Sequence, residues 1–391
     1  MNPRERIILA LSCKPTDVVP FDLGGTKATT LNARAYENLK AYLGVTSYTE
    51  LGHYRGKMVR LVEEVSQFFD SDVRYVHIPN PSPLPEAATR PVQVDEWGTE
   101  WTQGATGLYY ITHSPLQDAD SLDDLRRYNW PDPATMLPVE ELAQAARKLR
   151  RETDCATCLN LPVACVHKTQ HLRGFENWLI DSAANVSFFE ALMGYVTDIY
   201  VAMVEPLLLA MGDSVDLILI CDDIGIQSGP LISPAAYRKL VKPHHARIFD
   251  AVHANSPAKI LYHSCGSVYW VLGDLIDIGI DGLNPVQVSA AEMDPVRLKR
   301  EFGDKVCFWG AVDTQSVLPN GNPPEVREEV RRRIDELATG GGYVCAPCHN
   351  IQAEVPPENI LAMAEAAHVY GGRSDGHQFR QLLEQHRRIE A

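Results

Sequence analysis

Histidine and cysteine stand two residues apart in His263-Ser264-Cys265. On an extended backbone residues i and i+2 project to the same side, so an imidazole and a thiol placed this way can grip one ion. Zinc takes nitrogen and sulfur in a tetrahedron, and a pair from one segment needs further donors from elsewhere. Cys345-Ala346-Pro347-Cys348-His349 offers them, with His349 or Cys348 as the third ligand. Free cysteine is also a common packing residue. The H-x-C pair therefore gains weight through this second segment. Cys155 and Cys158, also spaced C-x-x-C, lie in an apolar run and read as core. In Asp222-Asp223 the adjacent carboxylates of an extended segment point to opposite sides, so at most one faces a site. That one can complete a metal shell, fix a ligating imidazole or cap a helix. His167 and His171, four residues apart, read as solvated loop histidines near a cleft. His244-His245 reads as surface and packing.

Short apolar runs ending in polar or glycine residues must carry these groups. They cover 18–24, 73–78, 155–161, 216–222, 259–263, 282–285, 306–310 and 342–346. Amphipathic helical stretches, such as 233–254, 266–278 and 324–338, separate most of them. Near-continuous apolar strands alternating with helices indicate parallel strands buried on both faces. The fold class is therefore α/β, a (β/α)8 TIM barrel with an N-terminal helical extension. An open doubly wound sheet would carry a Gly-rich phosphate loop after its first strand, which is missing. Residues 92–112 interrupt the rhythm and read as an inserted β-hairpin. A helix at 122–128 and the turn Trp130-Pro131-Asp132-Pro133 complete this roof over a single domain, 1–391. Barrel sites are built at C-terminal strand ends. Those ends put Asp22, His77, Asn160 and Asn284, with Gln352, at the mouth as substrate-binding candidates. Asp222 and Asp223 are the catalytic candidates there.

The composition fits a globular chain, 45% hydrophobic and 22% charged over 391 residues. Its net charge of −15 argues against a nucleic-acid or anionic-membrane surface. No apolar stretch is read as approaching the ~20 residues that span a bilayer. Met-Asn-Pro-Arg-Glu-Arg-Ile-Ile-Leu-Ala lacks the apolar core of a secretory signal. The nine cysteines, an odd number, suit a reducing compartment. A cytoplasmic location is expected.

Almost the whole chain resembles the uroporphyrinogen decarboxylase superfamily and, within it, the corrinoid-dependent methyltransferase branch. The resemblance rests on Asp95-Glu96-Trp97-Gly98, Trp130-Pro131-Asp132-Pro133, Leu172-Arg173-Gly174-Phe175-Glu176 and Asp222-Asp223-Ile224-Gly225-Ile226-Gln227. His263-Ser264-Cys265-Gly266, Gly282-Leu283-Asn284-Pro285 and Ala346-Pro347-Cys348-His349-Asn350-Ile351-Gln352 extend it. It implies a (β/α)8 barrel. True decarboxylases carry an Arg-rich N-terminal motif for a polyanionic substrate. The stretch here, Phe21-Asp22-Leu23-Gly24-Gly25-Thr26-Lys27, has no arginine. Methylcobamide:thiol methyltransferases of the superfamily hold zinc by H-x-C and a later cysteine. The resemblance thus gives His263 and Cys265 as ligands and places His349 at the third position, with Cys348 as the alternative. One thiolate and two imidazoles leave the zinc more positive than two thiolates would. This suits polarising the leaving heteroatom of an O- or N-methyl donor while a corrinoid (cobalamin) takes the methyl group. Methyl transfer to a thiol and a decarboxylase reaction are the alternatives. The D-x-H-x-x-G signature of corrinoid carriers is absent, so a partner protein is expected to bring the cofactor.

Overall fold

Seven of the eight apolar runs pair as parallel strands of one sheet. Its members are Val73–Tyr75, Ala156–Leu161, Leu217–Cys221, Lys259–His263, Gly282–Asn284, Cys307–Val312 and Tyr343–Pro347, each bonded to the next in chain order. The computed structural model describes residues 1–53, 55–77, 90–373, 379 and 381. Ile78, the last residue of the run expected at 73–78, lies outside them. The run at 18–24 is reduced to one parallel bridge, Phe21 to Cys345. Cys345 N donates to Pro20 O and Asp22 N to Cys345 O, while on the other side Asp72 N donates to Phe21 O. This short segment closes the ring between the first and last strands. Pro20 has no amide to give, which keeps its pairing short.

Alternate residues sort to the two faces of the sheet, as a period of two demands. Cys158, Leu217, Leu219, Leu261, Trp309 and Val344 fill the barrel interior with Ile7, Ala10 and Leu11 of the N-terminal helix Pro3–Leu11. That helix starts on a capping box between Asn2 and Glu5 with Pro3 in its first turn, and plugs one end of the barrel. Leu159, Ile218, Ile260, Tyr262 and Phe308 point outward against the helices. The longest helix, Val186–Met211, passes by length and composition for a membrane span, contrary to the sequence reading. More than half of its apolar window is buried, and it packs on Val139–Glu152 and Lys242–Asn255 as a core helix does.

The insertion is a three-stranded antiparallel meander, Val92–Val94, Glu100–Gln103 and Tyr109–His113, where a two-stranded hairpin was expected. The run from 92 to 101 breaks because Asp95 turns it. Its Oδ1 accepts from the Trp97 and Thr99 amides at 3.0 Å, and Gly98 supplies a left-handed φ of +77°. Trp97 then drops into the core against Tyr200, edge to face at 5.5 Å.

Candidate metal centre

The strand Lys259–His263 ends on His263, and the chain continues extended just far enough to bring Cys265 back beside it. The Cys265 Sγ lies 3.4 Å from His263 Nε2. Gly266 then turns with φ +86°, and a Cβ there would sit 2.8 Å from the backbone of Gly225 and Ile226. Glycine is required for that close approach. At the end of Tyr343–Pro347, His349 faces His263 with ring centroids 5.6 Å apart. One ligand atom from each of His263, Cys265 and His349 lies within 4.8 Å of the others. Cys348 is not in this group. It is buried, and its Sγ donates to Val286 O at 3.1 Å.

Asn284, ending the neighbouring strand, is fully buried behind His263. Its Oδ1 accepts from His263 Nδ1 at 2.5 Å, which leaves Nε2 as the lone-pair nitrogen facing Cys265. Burial pushes His263 below its ordinary pKa and, with His263 adjacent, takes His349 to about 4. Both imidazoles are neutral near pH 7, the form that ligates metal. Burial, reinforced by the charge of Asp223, raises the Cys265 thiol. The donor set, two neutral imidazoles and one thiol converging from two strand ends, fits zinc.

Asp222 and Asp223 follow the end of Leu217–Cys221 and both reach the ring of His167, its Nδ1 3.5 Å from Asp222 and its Nε2 3.5 Å from Asp223. Asp223 Oδ1 accepts from the Cys265 amide at 2.7 Å, and its Oδ2 lies 3.5 Å from His167 Nε2. Burial works to raise its pKa, but His167 and His263 hold it well below the usual range. Asp222 is almost wholly buried and accepts from the Val166 and His167 amides at 2.8 and 2.9 Å. It thereby caps the helix Cys165–Arg173, whose own cap residue, Ala164, contributes no side-chain bond. His245 Nε2 lies 3.0 Å from Asp222 Oδ2, and Cys165 Sγ donates to the same oxygen at 3.4 Å. Cys165, Asp222 and His245 also converge within 4.8 Å. All three are buried, with Cys165 and His245 both bonded to Asp222, so this second group is an internal network.

One cavity meets the candidate metal ligands and a second lies under the meander. The first, of about 490 Å3, is lined by Cys265, His349, Gln287, Asp313 and Gln352. The other, about 770 Å3, lies under the meander and takes in Lys27, Trp97, Trp101, Asn160, His167 and His171. Of the expected substrate-binding residues, Asn160 and Gln352 line a cavity. Three others do not. Asn284 backs His263. Asp22 is fully buried and accepts from Gly25 N and Thr29 Oγ1 at 2.8 Å and Trp309 Nε1 at 3.0 Å, so it shapes the loop after Phe21. His77 bonds Glu50 Oε1 at 2.9 Å with its side chain 8% exposed. The sequence reading weighed His167 and His171 as cleft residues but favoured solvated loop histidines; both line the larger cavity, while His245, read as surface and packing, is buried. The first two stand one turn apart on a helix that directly follows a strand end, which is the signal that marks a cavity wall.

Fold and site together define a TIM-barrel protein with a nitrogen–sulfur cluster at the mouth. A family model for uroporphyrinogen decarboxylase matches residues 110–370, and the chain belongs to that family. It is 25% identical over 209 residues to the methylcobamide:CoM methyltransferase MtaA of Methanosarcina barkeri, covering 54% of this chain and 56% of that protein. It is 33% identical to the uroporphyrinogen decarboxylase of Pseudoalteromonas translucida over 75 residues, 19% of this chain and 21% of the relative. The match to MtaA thus spans about half of that relative's length. A methyltransferase from Methanosarcina mazei superposes with a TM-score of 0.65 at 18% identity, covering 94% of this chain and 98% of that one, and shares the fold.

Proposed function

We propose that the protein is a zinc-dependent methyltransferase that moves a methyl group between an O- or N-methyl donor and a corrinoid (cobalamin) bound to a partner protein. The observation that carries this reading is the convergence of His263, Cys265 and His349 beside a cavity that Cys265 and His349 line. These residues would hold the zinc. When bound, zinc would polarise the leaving heteroatom of the donor and the corrinoid would accept its methyl group. Asn284 keeps the His263 proton on Nδ1. Asp223 fixes the Cys265 amide and holds His167, whose pKa is raised because its bond to Asp223 and the charges of Asp222 and Asp223 together outweigh burial. His167 thereby keeps a proton on the wall of the larger cavity, where a departing alkoxide or amine needs one. Asp222 acts at one remove, by seating the helix that carries His167. The likeness to MtaA favours a second reading, methyl transfer from a methylcobamide to a thiol. The missing arginines in the segment 21–27 count against a decarboxylase. Nine free cysteines suit a cytoplasmic setting.

Metal analysis tests the ligand set. About one zinc per chain is expected, lost in Cys265→Ala and His349→Ala and kept in Cys348→Ala. Retention in His349→Ala with loss in Cys348→Ala would overturn it. The reaction is tested by the methylcobalamin absorbance change when zinc-loaded protein meets cob(I)alamin and aryl ethers, methylamines or methylated thiols. No change with any ether or amine refutes the donor-side reading.

A further inference from the structure

The smaller cavity, which Cys265 and His349 line, is rich in open hydrogen-bond acceptors. The described residues around it include two carboxylates, Asp313 and Glu354, and no lysine or arginine. Asp313 follows the strand Cys307–Val312, and its Oδ1 accepts from the Gln315 and Ser316 amides at 2.7 and 3.2 Å. Among the described residues its Oδ2 has no hydrogen-bond or ion-pair partner, and neither has the Glu354 carboxylate at the exposed rim. Arg332 and Arg333 share a neighbouring cavity with Asp313 but are committed to Glu329 and Glu336.

Two amides of the wall are spent at their donor ends. Asn350 Nδ2 donates to Lys27 O at 2.6 Å, and Gln352 Nε2 to Asn350 O at 3.1 Å. Asn350 is only 7% exposed, and its Oδ1 has no partner among the described residues. Gln352 Oε1 is likewise open. A buried carbonyl oxygen without a donor is unfavourable, and a ligand N–H relieves it. Gln287 is satisfied at both ends, by the Gly266 amide and by Gln227 Oε1. Gln315 keeps an open amide donor, its Oε1 taking the Ser289 hydroxyl at 2.8 Å. The free groups are thus chiefly oxygen acceptors, two of them charged.

An alkylammonium complements such a wall, with one positive charge, three donors and no acceptor. An anion would instead meet unpaired carboxylates. The ammonium must also be separate from the methylated atom. A positively charged nitrogen has no lone pair to offer zinc, so the leaving heteroatom has to be a neutral ether oxygen or amine.

We infer that the part of the methyl donor lying in this cavity carries an alkylammonium group, set on Asp313 and the open oxygens of Asn350 and Gln352, apart from the neutral heteroatom that bears the methyl group. The inference rests on the proposed donor-side reading and adds a charge requirement to it.

Isothermal titration calorimetry on the zinc-loaded full-length protein, without corrinoid, tests the ligand class apart from the reaction. The probes are 2-methoxyethylammonium, methoxyacetamide and methoxyacetate, a cation, a neutral amide and an anion of similar size. The cation is expected to bind about tenfold or more tightly than either of the others, from one charge-assisted contact. Asp313→Asn should remove that preference. Its amide oxygen can still accept from Gln315 and Ser316, so the variant should fold, and circular dichroism and zinc content check that it does. Equal binding of the cation and the amide overturns the inference. So does preference for the anion, or a cation preference that survives Asp313→Asn. Full displacement of the ammonium by magnesium at constant ionic strength overturns it too, since that marks a metal-ion site. Asp313-dependent binding of 2-methoxyethylammonium, with no methyl transfer to cob(I)alamin from any ether or amine, would leave the ligand class standing and sink the methyltransferase reading instead.

Discussion

Asp222→Ala removes one buried carboxylate and strips partners from several groups at once. The Val166 and His167 amides lose their acceptor, and His245 Nε2 loses its oxygen. Two amide bonds to a charged acceptor contribute roughly 1.5–3 kcal/mol each. Breaking a buried charged pair from one side costs roughly 3–5 kcal/mol by an independent route. The two estimates overlap at about 4 kcal/mol. With about 2.1 cal/mol/K of unfolding entropy per residue over 391 residues, the melting temperature should fall by about 5 °C. Asp223→Ala is the control. Its side chain is 34% exposed and it holds one amide, so about 1 kcal/mol is expected. Urea unfolding, read from the midpoint at constant slope, measures both. The pH dependence fixes the sign. Burial works to raise the Asp222 pKa, but His245, His167 and the Val166 amide outweigh it and hold it below its ordinary value. The folded state therefore binds this proton more weakly than the unfolded chain. The carboxylate's contribution is complete above an unfolded pKa of about 3.9 and is lost as the pH falls through the lower folded value. The deficit of the variant should shrink in acid. A deficit under 1 kcal/mol at pH 7, or one that grows on acidification, refutes the claim that Asp222 anchors this helix.

Two further outcomes follow from the geometry of the metal cluster. Asn284→Leu removes the acceptor that fixes His263 and should weaken zinc binding about 10- to 100-fold, measured by competition with a chromophoric chelator; unchanged affinity would mean that the imidazole is oriented by something else. Gly266→Ala forces a Cβ to within 2.8 Å of the backbone at Gly225 and Ile226 and should displace Cys265, with loss of bound zinc. Gly273→Ala, on the helix Tyr269–Asp277 with open space around it, should instead stabilise the fold by about 0.5–1 kcal/mol in thermal unfolding and keep the metal.

The barrel was legible because its strands are buried on both faces, and such strands must be apolar along their whole length. Leu217–Cys221 and Cys307–Val312 read as unbroken apolar runs for that reason. The convergence of His263, Cys265 and His349 was legible because these are rare residue types close to strand ends, and short-range geometry carries His263 to Cys265. Position at a strand end was insufficient elsewhere. Asp22 occupies such an end, but the Gly25 amide and the Thr29 hydroxyl claim its carboxylate and turn it into the loop. His77 likewise satisfies itself on Glu50. What could not be read was any contact between distant segments. The helix that presents His167 starts where it does because Asp222, from another strand, receives its amides. Nothing within 165–173 announces that partner.

The pair Asp222-Asp223 ties the start of the helix Cys165–Arg173 to the segment that carries Cys265. Just past the end of Leu217–Cys221, Asp222 is almost wholly buried and Asp223 is partly exposed. One seats the helix that forms a wall of the larger cavity, and the other seats the Cys265 amide. His167 closes the link, its Nδ1 3.5 Å from Asp222 and its Nε2 3.5 Å from Asp223. An imidazole held by two carboxylates on one rigid strand end cannot move toward the cavity without loosening the backbone that carries Cys265.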